Sequence, residues 1–181
     1  FGKVLSPKLV ELDEGFCRMS LPWREDLSRG DARVHGGVIA ALVDKAGGIP
    51  VPYPLVSDDY EAQRDAAVRG LDGGDVLVFS AGSSVSSHDK TAAVMDSLGS
   101  PGVLVHGISV KPGKPTIVAV IDGKPAFGLP GNPVSAMVVF DLLVRPTLYL
   151  LAGCQEAPEL PTVEATLLRD IPSVAGREDY V

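Results

Sequence analysis

Cysteine is scarce in this chain of 181 residues, and the two present, Cys17 and Cys154, lie far apart with no metal-ligand spacing. Neither a disulfide framework nor a zinc site is expected. Long apolar runs are also missing. The longest, Val134 to Leu151, is interrupted by Ser135, Asp141, Arg145 and Pro146, so no membrane-crossing segment is expected. No basic-start signal peptide precedes it, which points to the cytoplasm. The first residue is Phe1 rather than methionine, as in a fragment. Positive charge is in deficit, with 16 Lys and Arg against 23 Asp and Glu and a net charge of -7. That balance argues against nucleic acid or an anionic membrane as partner, although a local basic cluster can still hold an anion because distant charges are screened. There is no internal repeat and no low-complexity stretch. The remaining composition, 45% hydrophobic and 22% charged, is that of a globular chain with room for one substantial core or two small ones.

What is present is concentrated between Lys111 and Ser135. Pro112 and Pro115 cannot donate to a ladder, so the apolar run Val103 to Val110 must stop and turn there. Lys111 and Lys114 flank the turn glycine, Gly113. Further on, Gly128-Leu-Pro-Gly-Asn-Pro-Val-Ser135 places Asn132 as N-cap and Pro133 at the first helical position, so a helix opens with free amides beside Gly131. Helix openings receive anions, and lysines act on them as point charges. A phosphate-bearing ligand is one reading of the conjunction. A pair of proline turns with solvated lysines is the other.

Along the chain, Phe16 to Leu21 reads as a strand, and Val38 to Ala46 as a helix stopped by Gly47. Its residues Val38, Ala41, Leu42 and Ala46 recur at helical spacing, a stripe suited to packing on the strand at Val76 to Phe79. Ile49 to Val56, with three prolines, is an edge strand at most. Asp58 and Glu61 form a capping box for a helix from Asp59 to Leu71. Asp75 to Ser80 is a buried strand feeding a Gly/Ser loop that ends at Asp89, and a helix follows from Lys90 to Leu98. Such loops are where open α/β sheets bind ligands. A strand from Val103 to Val110 leads to a hairpin of Thr116 to Ile121 with Pro125 to Leu129 across Asp122-Gly123. The helix from Pro133, kinked or restarted at Pro146, ends near Gly153. Val163 to Leu168 reads as a strand, and another begins at Asp179.

These marks together, Asp75-Val-Leu-Val-Phe-Ser80 with its loop, Asp89, Lys111-Pro-Gly-Lys-Pro115 and Gly128-Leu-Pro-Gly-Asn-Pro-Val-Ser-Ala136, closely resemble the molybdopterin molybdenumtransferase family, of the MoeA and gephyrin E-domain type, from about residue 41 to 181. The resemblance implies an α/β fold: a three-layer molybdopterin-binding domain with a mostly parallel sheet at 49–154. A truncated start of a β domain at 155–181 follows it. It implies a reaction in which adenylylated molybdopterin receives molybdate and AMP is released with Mg²⁺ present. Asp89 would sit by the metal or pterin, and Lys111 and Lys114 would hold molybdate or phosphate. Ser80, Gly82, Ser83, Ser84, Pro112, Gly113, Pro130, Gly131, Asn132, Pro133 and Ser135 would line the pterin. The family is homodimeric, with a small-molecule pterin as substrate, and the domains that complete its site are not matched here. Ala81 and Ser86 depart from the family, which has glycine there.

Residues 1–48 instead resemble the opening of a hotdog-fold acyl-CoA thioesterase, with His35, Gly36 and Gly37 as the loop before the helix and Asp44 as the acid on it. The two resemblances meet at Ala41 to Gly48, which reads as a splice of two unrelated parents. Three functions follow: an incomplete enzyme of molybdenum cofactor biosynthesis, an acyl-CoA thioesterase lacking most of its sheet, and a non-catalytic pterin-binding scaffold. A nucleotide-binding domain of the competence-damage type shares the loop and Asp89 only.

Overall fold

The computed structural model describes residues 8–13, 16–20, 36–57, 59–80, 85–159 and 162–180, with side chains described from Val38 onward except at 85–89. An antiparallel pair, β1 (Lys8–Asp13) and β2 (Phe16–Ser20), comes first. Helix α1 (Gly36–Lys45) follows. Next is α2 (Tyr60–Gly73), whose N-cap is Asp59, its carboxylate accepting from the Ala62 amide at 3.0 Å. The expected box on Asp58 and Glu61 is corrected accordingly: the capping contact reaches N3 from Asp59, and Asp58 lies outside the described residues. Between these helices Ile49 to Val56 forms no strand and is exposed. Prolines at 50, 52 and 54 strip alternate donors from one edge of the segment, so it cannot take a partner there.

Strand β3 (Leu77–Ser80) leads to α3 (Val85–Ser97), then to β4 (Pro101–His106). The helix starts five residues before the expected Lys90, and it absorbs Ser86 to Asp89, which had read as loop. Serines near a helix start suit capping and first-turn positions, and do not by themselves mark a loop. The expected run Val103 to Val110 is broken at Gly107, where φ is +95, leaving β5 as Val110–Lys111 alone. β6 (Ile117–Ile121) and β7 (Lys124–Leu129) close the predicted hairpin. Asp122 and Gly123 take φ of +48 and +86, the positive pair that a two-residue hairpin turn requires.

The main sheet has strand order β3-β7-β6-β4. Only β3 with β7 is parallel, while β7–β6 and β6–β4 are antiparallel. The expectation of a mostly parallel sheet is therefore corrected to a mixed one, because a two-residue turn can join strands only antiparallel. Alternation along the strands divides the core in two. Val76, Val78, Val118, Phe127 and Leu129 face a cluster with Ile39 and Leu42 of α1 and with Ala46 just past that helix. Leu77, Phe79, Ile117, Ala119, Ile121 and Ala126 face Met95 of α3 and Leu71 of α2. Helices thus cover both faces, giving the expected three layers, and Ile39 of α1 belongs to the same buried cluster that Val76 and Val78 pack against.

After β7 the chain turns into α4 (Pro133–Val139), a π-helical segment Phe140–Val144, and α5 (Arg145–Leu151). Pro146 has no N–H to give the Leu142 carbonyl, so the ordinary ladder fails in this turn and the helix widens just ahead of it. The Thr147 hydroxyl donates to the Leu143 carbonyl at 2.8 Å. By length and composition this 19-residue run could cross a bilayer, contrary to the sequence expectation. Here its residues Ala136, Val139, Phe140 and Val144 are buried in the α1-side core. Of the tail, Val163 to Leu168 forms no strand: it meets no ladder partner, and Val163 and Leu168 are 81% and 97% exposed. The last element, β8 (Glu178–Asp179), pairs in parallel with β5.

Candidate functional site

Ser80 ends β3 and is the register partner of Leu129, which ends β7. Two parallel strands therefore release their chains at one rim of the sheet, beside the point where the pairing changes from parallel to antiparallel. Ligands of open α/β sheets sit outside such strand ends. From Ser80 the chain passes into residues 81–84, so Gly82, Ser83 and Ser84 lie outside the described residues. Asp89 falls within α3, and its side chain is not described. From Leu129 the chain passes through buried Pro130 and Gly131 to Asn132, the N-cap of α4.

Asn132 Oδ1 accepts from the Ser135 amide at 3.2 Å and from its hydroxyl at 3.4 Å. Pro133 has no N–H at all. The expected row of free amides is thus corrected: one first-turn donor is absent and another is already held by the cap. What the opening offers a ligand is a fixed bend of backbone at Pro130 to Asn132, with Ser135 buried beneath it.

The lysine loop is brought against this bend. Gly113 is buried, and a β-carbon placed there would come to 2.7 Å from Val139 Cγ2 and 4.0 Å from the Ser135 carbonyl oxygen. Its φ is +129, which glycine alone adopts readily. The loop is also tied internally. The buried Thr116 hydroxyl donates to the Gly113 carbonyl at 2.6 Å, and the amides of Ile108 and Thr116 donate to the Lys114 carbonyl at 3.0 and 2.9 Å. The Lys111–Pro112 peptide is cis. Lys111 and Lys114 are both exposed at the ends of this rigid turn, and neither makes an ion pair among the described residues. The two proline-glycine motifs, separate in sequence, meet in space where Gly113 packs on α4.

Two contributors had no clear signal in the sequence. Thr116 reads as the first residue of a strand, yet its hydroxyl locks the lysine turn. Gly128 reads as part of a motif, yet its role is steric: a β-carbon there would lie 3.0 Å from Cβ of Ile117, its register partner. For a metal, the described residues gather no group of three or more His, Cys, Asp or Glu side chains. Of the thioesterase-like set, His35 lies outside the described residues. Gly36 and Gly37 are the first residues of α1 and not a loop before it, and Asp44 is exposed near that helix's end.

The family described as "Probable molybdopterin binding domain" matches residues 30–149. A Methanocaldococcus jannaschii protein assigned to molybdopterin biosynthesis is 32% identical over 160 residues, 87% of this chain and 37% of its own length. A molybdopterin molybdenumtransferase from a Nostoc species is 30% identical over 146 residues, 79% of this chain and 33% of its own. A crystal structure of a molybdopterin biosynthesis MoeA protein from Pyrococcus horikosii superposes with a TM-score of 0.59 at 36% identity, covering 74% of this chain and 32% of that one. The chain spans about a third of the length of these relatives. The family match starts at residue 30, inside the stretch that resembles a thioesterase. That resemblance, and the splice inferred from it, draw no support from these relatives.

Proposed function

Because the chain belongs to the molybdopterin-binding domain family, we propose that it supplies the pterin- and anion-holding part of molybdate insertion, the step in which adenylylated molybdopterin takes up molybdate and AMP leaves. The observation that supports this reading is the seating of Gly113 on α4, which sets the lysine turn next to the helix that the Pro130–Asn132 bend opens, and that bend leaves β7 at Leu129, the register partner of Ser80. Lys111 and Lys114 would act as point charges on molybdate or on a phosphate. The pterin would lie along Ser80, Gly82, Ser83 and Ser84 on one side and Pro112, Gly113, Pro130, Gly131, Asn132, Pro133 and Ser135 on the other. We assign residues 49–154 to this domain and 155–181 to the start of a further β domain.

Mg²⁺ commonly binds through one or two carboxylates and the phosphates of a substrate, without an all-protein cage. Asp89, on α3, is the carboxylate we assign to it. The ion would neutralise charge on the adenylyl phosphate. This chain's own contribution is to orient the anion, catalysis by positioning and preorganised charge. The setting we propose is cytoplasmic, with the homodimer of the resembled family as the assembly.

The test is equilibrium binding of adenylylated molybdopterin. Removing one charge-assisted contact weakens affinity by about ten- to a hundredfold, so Lys111→Ala and Lys114→Ala are each expected to do so. Unchanged affinity in both variants would return the lysines to the status of solvated side chains.

A further inference from the structure

The tail returns to the site by a route that the motifs do not reveal. β8 lies parallel to β5 with Asp179 opposite Lys111. The Glu178 amide donates to the Ser109 carbonyl at 2.9 Å, and the Tyr180 amide donates to the Lys111 carbonyl at 2.7 Å. Lys111 is therefore held on one side by this ladder and, through Pro112 and Gly113, on the other by α4. The turn that presents β8 is organised around Asp179, whose side chain is only 8% exposed. Its carboxylate accepts from the Ser173 hydroxyl at 2.6 Å, from Arg177 Nε at 2.8 Å and from the Val174 amide at 3.4 Å. Gly176, with φ of +88, makes the bend between them.

We propose that residues 173–180 are a strap that positions Lys111 for anion binding, with Asp179 as its positioning residue. The inference rests on the reading of Lys111 as an anion-holding residue. Two physical effects act together. The strap fixes the backbone that carries the lysine, so less side-chain and loop freedom is lost when an anion binds. It also occupies the carboxylate nearest along the ladder. Both oxygens of Asp179 are engaged by Ser173, Val174 and Arg177, which leaves Lys111 to an incoming anion in place of a neighbouring acid. Asp179 touches no substrate in this account and acts through Lys111.

Molybdate alone is a suitable probe, titrated calorimetrically into the full chain. Asp179→Asn keeps the shape but weakens the charge-assisted bonds, and Ser173→Ala, a gentler change, removes one of them. Each is expected to weaken molybdate binding by about three- to tenfold, less than the Lys111→Ala effect, since a positioning contact is indirect. The decisive variant is Asp179→Asn combined with Lys111→Ala. If the strap acts through Lys111, the pair binds no more weakly than Lys111→Ala alone. Additive losses would assign Asp179 to general folding and overturn the strap. Unchanged binding in both tail variants, with Lys111→Ala still weakened, would also overturn it. Unchanged binding in Lys111→Ala would overturn the site reading and the strap together, and so is distinguishable from failure of the strap alone.

Discussion

At Gly113 a side chain has nowhere to go. Alanine would place a methyl 2.7 Å from Val139 Cγ2 and 3.0 Å from Val110 Cγ2, at a φ of +129. Overpacking and a disallowed backbone region each cost about 1 to 3 kcal/mol. Gly113→Ala is therefore expected to lower the midpoint of urea unfolding and to weaken anion binding, because relief of the clash must move the lysine turn off α4. Asn132→Ala removes one cap, worth about 1 kcal/mol, and is expected to shift stability by that amount in the same denaturation series. Asp179 carries a pH prediction. The hydrogen bond from Ser173, then the Arg177 guanidinium and the Val174 amide, hold its carboxyl below the ordinary 3.8 against the opposing effect of partial burial. A lowered pKa stabilises the turn fully above that ordinary value, and the stabilisation is lost as pH falls through the lowered one. Hydrogen-exchange protection factors at 173–180, with the pH dependence of intrinsic exchange divided out, are thus expected to be flat from neutrality down to about pH 5 and to fall only in stronger acid. At this scale the lysines, the glycine and the Asn-Pro cap were legible, because each residue type has one dominant physical use. The Thr116 lock and the Asp179 turn were not legible, because Thr and Asp serve many local roles and only the fold names their partners.

Among the elements, α1 and the hairpin β6–β7 follow directly from pattern: helical spacing of apolar residues in one, Asp-Gly between alternating runs in the other. Their packing follows as well, since Ile39 and Ala46 are buried with Phe127 and Leu129. Phe140 stands at the centre of the same cluster at 1% exposure. Phe140→Ala is expected to destabilise by about 3 to 5 kcal/mol, measured as a fall in the urea midpoint with an unchanged slope. Elements that depend on a distant partner were read less well. The strand expected at Val163 to Leu168 has the right residues and no neighbour to pair with. Residues 85–89, which read as loop, proved helical because serine serves both states. β4 ended early at Gly107, a residue whose positive φ only the turned loop requires.

For the whole molecule, the sheet's mixed direction was hidden from the sequence because continuous apolar strands suggest burial on both faces, not the sense of pairing. The family was legible because two proline-glycine motifs, unremarkable singly, were specific together. The thioesterase-like opening shows the converse, since a short glycine-led helix fits more than one parent. The chain spans about a third of its relatives, so AMP release from adenylylated molybdopterin and molybdate by this chain alone is expected to fall at least a hundredfold below that of a full-length relative, as displacements of about 1 Å already cause losses of that order. Comparable turnover would show the remaining two thirds to be dispensable. The central claim is narrower: the lysine turn and the bend before α4 form one anion site. Anomalous diffraction at the molybdenum edge from molybdate-soaked crystals tests it directly. The account places the molybdenum peak between Lys111–Pro115 and Pro130–Ser135, and it requires the peak to vanish in crystals of the Lys111→Ala, Lys114→Ala double variant. A peak elsewhere on the chain, or one that survives that substitution, would contradict it.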